Sequence, residues 1–291
     1  MANKSADIGT RQLYRICNMK YGEQLALLSQ GLPILFESAQ DCYISANKLK
    51  DNPRSREILM GQAGEEATKI LILLDAIRCP KKRLSSVVRK LTSAFYNHVV
   101  RLAYDEVLSL RPASIKDLRG YIEPFLESHY LDGNHGEYIF PNMRIHLRES
   151  RLYADVVMVD ERPPSWESPL DPSLYRYTRT PDSLTLCQSL NELGLLSEAG
   201  AKIIAAVWGQ YDFTDALGYS EAKICIEETL KRALDQNLIL PSATDDDIRN
   251  IHRFWQWPMY DLDLKPIDRS LNELQEEQRL MLAYEMGQNG S

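Results

Sequence analysis

Apolar positions recur along most of this chain at the spacing of an α-helix rather than a strand. A first long segment over residues 22–50 carries Leu25, Leu28, Leu32, Leu35, Ala39, Ala46 and Leu49 as one stripe. Gly31 and Pro33 are expected to kink or divide it. Residues 51–55 read as a turn, with Ser55 as N-cap of a second helix that ends at Cys79 and Pro80. A third helix is expected over residues 81–110, with Leu84, Val87, Val88, Leu91, Phe95, Val99, Leu102 and Val107 facing inward. Pro112 closes it, and Ser114 caps a fourth helix to about His129. A loop over residues 131–136 leads to a short helix over residues 142–150.

The pattern then changes. Residues 152–160 are rich in β-branched side chains and read as one extended segment. Proline and serine concentrate between Pro163 and Pro181, which marks the expected boundary. Beyond it five helices are predicted, over residues 182–195, 197–211, 220–236, 244–255 and 267–286, with Val207, Trp208 and Tyr211 in their core. The expectation is an all-α protein: a lead-in over residues 1–20, a helical bundle with a short extended segment over residues 21–172, and a further helical region of unassigned role over residues 173–291.

The second helix departs from ordinary amphipathic patterning. Ile58, Leu59, Ala63, Ala67, Ile70, Leu71, Leu73, Leu74 and Ile77 cover most of its circumference, so it reads as largely buried. Yet it carries Glu65, Glu66 and Lys69, and Lys69 reaches either carboxylate at helical spacing. Charge on a buried helix must be paired or have a task. The cluster is either an ion pair that sets helix register or part of a catalytic site; taken alone, it reads as the ion pair.

Charge is uneven along the chain. The net charge of −7 argues against wholesale coating of nucleic acid. Residues 77–104, however, contain no acidic side chain and carry Lys82, Arg89, Lys90 and Arg101 among other cations, whereas the last fifty residues are acidic. A basic helix in an acidic protein can meet a phosphate backbone, or an acidic segment of its own chain or of a second copy. On that helix Asn97, His98 and Arg101 share a polar face. A near-neutral histidine can move the proton of a ribose 2′-hydroxyl, and a guanidinium can stabilise the charge that develops on phosphate, so the pair can cleave RNA without a metal. The alternative pairs Arg101 with Asp105 and leaves His98 as a satisfied, half-buried histidine.

Other chemistry is not indicated. Five scattered cysteines without a C-x-x-C pair argue for reduced thiols and against a zinc site. The remaining histidines lack ligand spacing, and phosphate-loop, dinucleotide and hydrolase motifs are absent. No cofactor is expected. No apolar run has membrane-spanning length and residues 1–9 lack a signal-peptide pattern, so a cytoplasmic protein is expected. In the run from Phe254 to Tyr260, Trp255 and Trp257 point different ways on a helix and are candidates for a partner surface, with core as the alternative.

Three segments together resemble the AbiV abortive-infection family, within the HEPN group of helical-bundle proteins. Glu65-Glu66-Ala67-Thr68-Lys69 is similar to the family's EE-x-x-K; Tyr96 through Arg101 is placed like its His-plus-basic segment; and residues 148–155 with Trp166 and Pro169 look like its RE…LY-x-D…W…P ending. The resemblance covers residues 21–172. It implies a four- or five-helix bundle, defence against phage by arrest of growth or translation, a homodimer, RNA (tRNA, rRNA or mRNA) as target and a phage or host protein as trigger. Many HEPN proteins are metal-independent ribonucleases with an Arg four to six residues before a His. Here Arg89 lies too far before His98 and Arg101 follows it, which keeps a non-catalytic interaction module open as the alternative. Carried onto this chain, the resemblance points to His98, Arg101, Glu65, Glu66, Lys69 and Asn97 as site residues, with Lys82, Arg89 and Lys90 guiding RNA.

Overall fold

The computed structural model describes residues 13–132, 138–157, 163–169, 179–214 and 218–288. The chain is all-α, as its periodicity indicates, with two short antiparallel hairpins among the described residues. After a 3-10 turn, Leu13–Asn18, come α1 (Tyr21–Lys48), α2 (Pro53–Arg78), α3 (Leu84–Tyr96), α4 (His98–Leu110) and α5 (Ile115–Leu126). The first hairpin pairs β1 (His129–Asp132) with β2 (Tyr138–Pro141); α6 (Met143–Leu152) follows, and then β3 (Asp155–Val157) pairs with β4 (Ser165–Glu167). The C-terminal part contains α7 (Asp182–Glu192), α8 (Glu198–Trp208), α9 (Tyr219–Asp235), α10 (Asp245–Phe254) and α11 (Leu271–Gln288). The expected boundary at 172/173, most of the lead-in and the end of the extended segment lie outside the described residues.

Helix ends follow local chemistry. α2 is capped by Asn52 rather than Ser55: the Asn52 Oδ1 accepts the Ser55 N–H at 3.1 Å, and Pro53 occupies the first helical position, where its missing N–H costs nothing. α1 runs undivided past Gly31 and Pro33. A side chain at Gly31 would meet Leu73 Cδ1 at 3.2 Å, so this glycine lets α1 pack tightly on α2 at that point. The expected helix over residues 81–110 is two helices. Asn97 adopts an extended conformation, ends α3, and caps α4 by accepting the Val100 N–H at 3.3 Å. The break makes His98 the first residue of a new helix instead of a mid-helix side chain.

α2 is the central element, packed by α1, α3, α4, α6, α7 and α8. From Ala63 to Cys79 only Lys69 is not buried. One apolar core joins side chains from the stretch Ile16 to Leu126 with others from Leu184 to Leu264, so the C-terminal helices and the first bundle share it. A buried polar knot fastens them. Asp75 on α2 pairs with Arg78, accepts the Tyr104 hydroxyl and accepts the Met259 N–H at 2.8 Å. Burial pushes the Asp75 carboxyl up, against the pull of Arg78. The Arg78 guanidinium lies 4.8 Å from both the Trp208 and Trp255 rings and donates to the carbonyls of Trp255 and Trp257.

This knot corrects the reading of the tryptophans as a partner surface. Both are buried: Trp255 packs on Trp208 with ring centroids 5.0 Å apart, and the Trp257 indole donates to the Pro112 carbonyl at 2.8 Å. The segment after α10 is not helical, so the expectation that side chains two apart point to opposite faces of a helix does not apply there. Among the described residues no helix is long and apolar enough to cross a membrane.

Candidate functional site

Glu65 is the centre of the site. It lies on the buried helix, 5% exposed, and three cations or potential cations converge on its two oxygens. Arg148 Nε on α6 donates to Oε1 at 2.8 Å. Arg101 on α4 places Nη2 at 2.8 Å from Oε2, and His98 Nδ1 stands 2.6 Å from the same oxygen. Burial raises the Glu65 pKa, but Arg148, Arg101 and His98 together outweigh it and hold the carboxyl below its ordinary range. Glu65 is therefore an anion, and acts only as an acceptor.

Arg101 Nη2 also lies 2.6 Å from His98 Nδ1. One nitrogen cannot donate to Glu65 and accept from Arg101 at once, so the two contacts are alternatives. Both contacts are charge-assisted, but Glu65 can only accept: an Nδ1 lone pair 2.6 Å from its oxygen would be repelled, whereas the Arg101 N–H has Glu65 Oε2 as another acceptor, which assigns the Nδ1 proton to Glu65. This tautomer leaves on Nε2, 3.4 Å from Arg101 Nη2, the lone pair that a general base requires. His98 is 46% exposed by its side chain, while Arg101 beneath it is 6% exposed. The accessible imidazole thus sits on a buried charged base.

An open cleft borders this face, lined by Gln62, Glu66, Lys69, Tyr96, His98 and Arg101, with a volume of about 290 Å³. Glu66 accepts from Lys69 and from Gln62 Nε2, the latter at 3.1 Å. Lys69 Nζ lies 5.6 Å from the centroid of the Phe95 ring. Glu65, Glu66, Lys69, His98 and Arg101, distant in sequence, are thus gathered at one place. Asn97 adjoins them, with its side-chain oxygen engaged as a cap. The expected Arg101–Asp105 pair does not form; Asp105 instead accepts the Ser183 N–H at 2.9 Å at the start of α7.

The basic helix divides its cations. Lys82 and Arg89 are exposed on α3 and its lead-in. Lys90 donates to the Asp261 carbonyl at 2.9 Å, and Arg83 pairs with Asp212 and Asp261, so part of the basic face docks on the chain's own C-terminal part. That leaves Lys90 less available to RNA than its sequence position indicated.

Sequence reasoning missed Arg148 as a member of the site, although it stands within the segment that resembles the AbiV ending. Its signal was the row Arg144, Arg148 and Arg151 on one face of a short helix facing carboxylates. The structure pairs them with Glu106, Glu65 and Glu57. Among the described residues no group of three His, Cys, Asp or Glu side chains is placed to hold a metal ion. No family model, no curated protein and no solved structure matches the chain, so the class defined by fold and site is an all-α protein with a carboxylate-centred His/Arg cluster.

Proposed function

We propose that the chain is a bacterial antiphage effector that impairs translation through a metal-independent, HEPN-type endoribonuclease site. The observation that carries the chemistry is the contact of exposed His98 with buried Glu65, beside Arg101 and across an open cleft from Lys69. His98 Nε2 takes the proton of a ribose 2′-hydroxyl; the freed oxygen attacks the adjacent phosphorus, the P–O5′ bond breaks and the 5′-oxygen takes a proton from water, giving a 2′,3′-cyclic phosphate and a 5′-hydroxyl end. Arg101 and Lys69 stabilise the negative charge that develops on the phosphate oxygens. Glu65 orients the imidazole, and Lys82 and Arg89 lead the RNA backbone toward the cleft. A homodimer would bring two such clefts onto one substrate.

The test is incubation of purified protein with total RNA in EDTA, alongside His98→Ala and phage plating of cells expressing each form. Cleavage and protection lost together in the variant support the reading; intact RNA with the wild-type protein rejects the nuclease.

A second reading, a non-catalytic interaction module, is favoured by Trp166, which is 79% exposed on β4 opposite an exposed Val156 on β3. A bound protein retained by His98→Ala and lost by Trp166→Ala would select it.

A further inference from the structure

We propose that Arg148 is a positioning residue for His98, acting through Glu65; its catalytic consequence rests on the nuclease reading, its geometric one does not. The two Glu65 oxygens are used unequally. Oε2 faces both Arg101 and His98, whereas Oε1 accepts from Arg148 Nε at 2.8 Å. The terminal torsion of a glutamate is broad, so a carboxylate held on one oxygen alone is free to turn. Arg148 holds the other oxygen and fixes the plane of the carboxylate. Without it, Arg101 can take both oxygens in a bidentate fork, the preferred geometry of a guanidinium on a carboxylate. Turning the carboxylate plane into that fork carries its oxygen away from His98 Nδ1, and the proton shifts to Nε2, the nitrogen that must carry the lone pair.

Arg148 is delivered by an element with no buried side chain. Its apolar side chains Ile145, Leu147 and Leu152 are half-buried, and polar groups fasten it at its ends and along its face. Asn142 caps it and donates to the carbonyls of Phe125 and Glu127 at 2.9 and 2.7 Å. Arg144 pairs with Glu106 at 2.8 Å, and Arg54 donates to the carbonyls of Arg151 and Leu152, both at 2.9 Å. This arrangement supplies an internal control: Arg144→Gln removes a fastener of α6 without touching Glu65, whereas Arg148→Gln removes the Glu65 contact.

The experiment records the ring-nitrogen NMR shifts of His98 in the full-length protein, labelled at histidine, for the wild type, Arg148→Gln, Arg148→Lys and Arg144→Gln. The expected result is an Nδ1–H imidazole in the wild type and Arg144→Gln, and a several-fold loss of that tautomer in both Arg148 variants. Arg148→Lys keeps the charge but not the in-plane Nε–H, and carries the test if Arg148→Gln does not fold. An unchanged tautomer in the Arg148 variants, or an equal change in Arg144→Gln, overturns the proposal. With RNA, Arg148→Gln lowers kcat about a hundred-fold at unchanged KM. If the wild type leaves RNA intact, the nuclease reading fails while the tautomer measurement still decides the role of Arg148.

Discussion

His98 Nδ1 stands 2.6 Å from Glu65 Oε2, joining the first residue of α4 to the middle of α2. The contact exists because Asn97 breaks the helix before it, which lets the imidazole lean back over the buried carboxylate. Glu65 in turn is kept ionised by two arginines from two different helices. The exposed group and its buried support form one unit, and replacing either has a different expected cost.

Glu65→Gln removes the carboxylate that meets both Arg101 and Arg148 while keeping the side-chain shape. Arg101 and Arg148 both lose the charge of Glu65, at a buried position for Arg101, and the expected loss is up to about 3–5 kcal/mol. Urea unfolding of the full chain measures it. His98→Ala, at an exposed position, should leave the midpoint almost unchanged, so the pair separates support from function.

The same carboxylate predicts an acid response. Its folded pKa lies below the ordinary value of 4.5, so its contribution to stability is fully present above that value and is lost as pH falls toward the depressed folded pKa. The stability difference between wild type and Glu65→Gln should therefore hold from pH 7 to about 5 and narrow below about 4.5. A difference that widens on acidification would contradict the ion-pair assignment.

Two glycines on α2 should respond in opposite directions. A side chain at Gly64 would meet Pro181 Cγ and Cβ at 3.0 and 3.1 Å, whereas nothing lies within 4 Å at Gly61. Gly64→Leu should cost about 1–3 kcal/mol by forcing the start of α7 away from α2. Gly61→Ala should stabilise by about 0.5–1 kcal/mol through helix propensity alone. Thermal melts of both variants check the pair.

Trp257→Ala tests the correction from partner surface to core. Its indole is buried and bonded to Pro112, so the substitution should destabilise the whole chain by about 3–5 kcal/mol. Selective loss of a partner at unchanged melting temperature would instead restore the surface reading. Asp75→Asn should act on the neighbouring knot, and faster hydrogen exchange at the Met259 amide would report it, because that N–H bonds to the Asp75 carboxylate.

Helix content, the buried character of α2 and the polar identity of Glu65, Glu66 and Lys69 were all legible in sequence. Each depends on local spacing, and local spacing sets which face of a helix is apolar. The division at Asn97 was missed because the apolar stripe continues across it, while a cap depends on one backbone conformation. The pairing of α6 with α2 was also out of reach: Arg148 and Glu65 are 83 residues apart, and several carboxylates were equally available to any arginine. The sequence by itself determined an all-α chain with a buried charged helix and a separate His/Arg face. Only the tertiary structure decided that His98, Arg101 and Arg148 share one carboxylate and that both tryptophans turn inward, because long-range partners are chosen by the packing of whole helices, which places a side chain beside one charge and away from the rest.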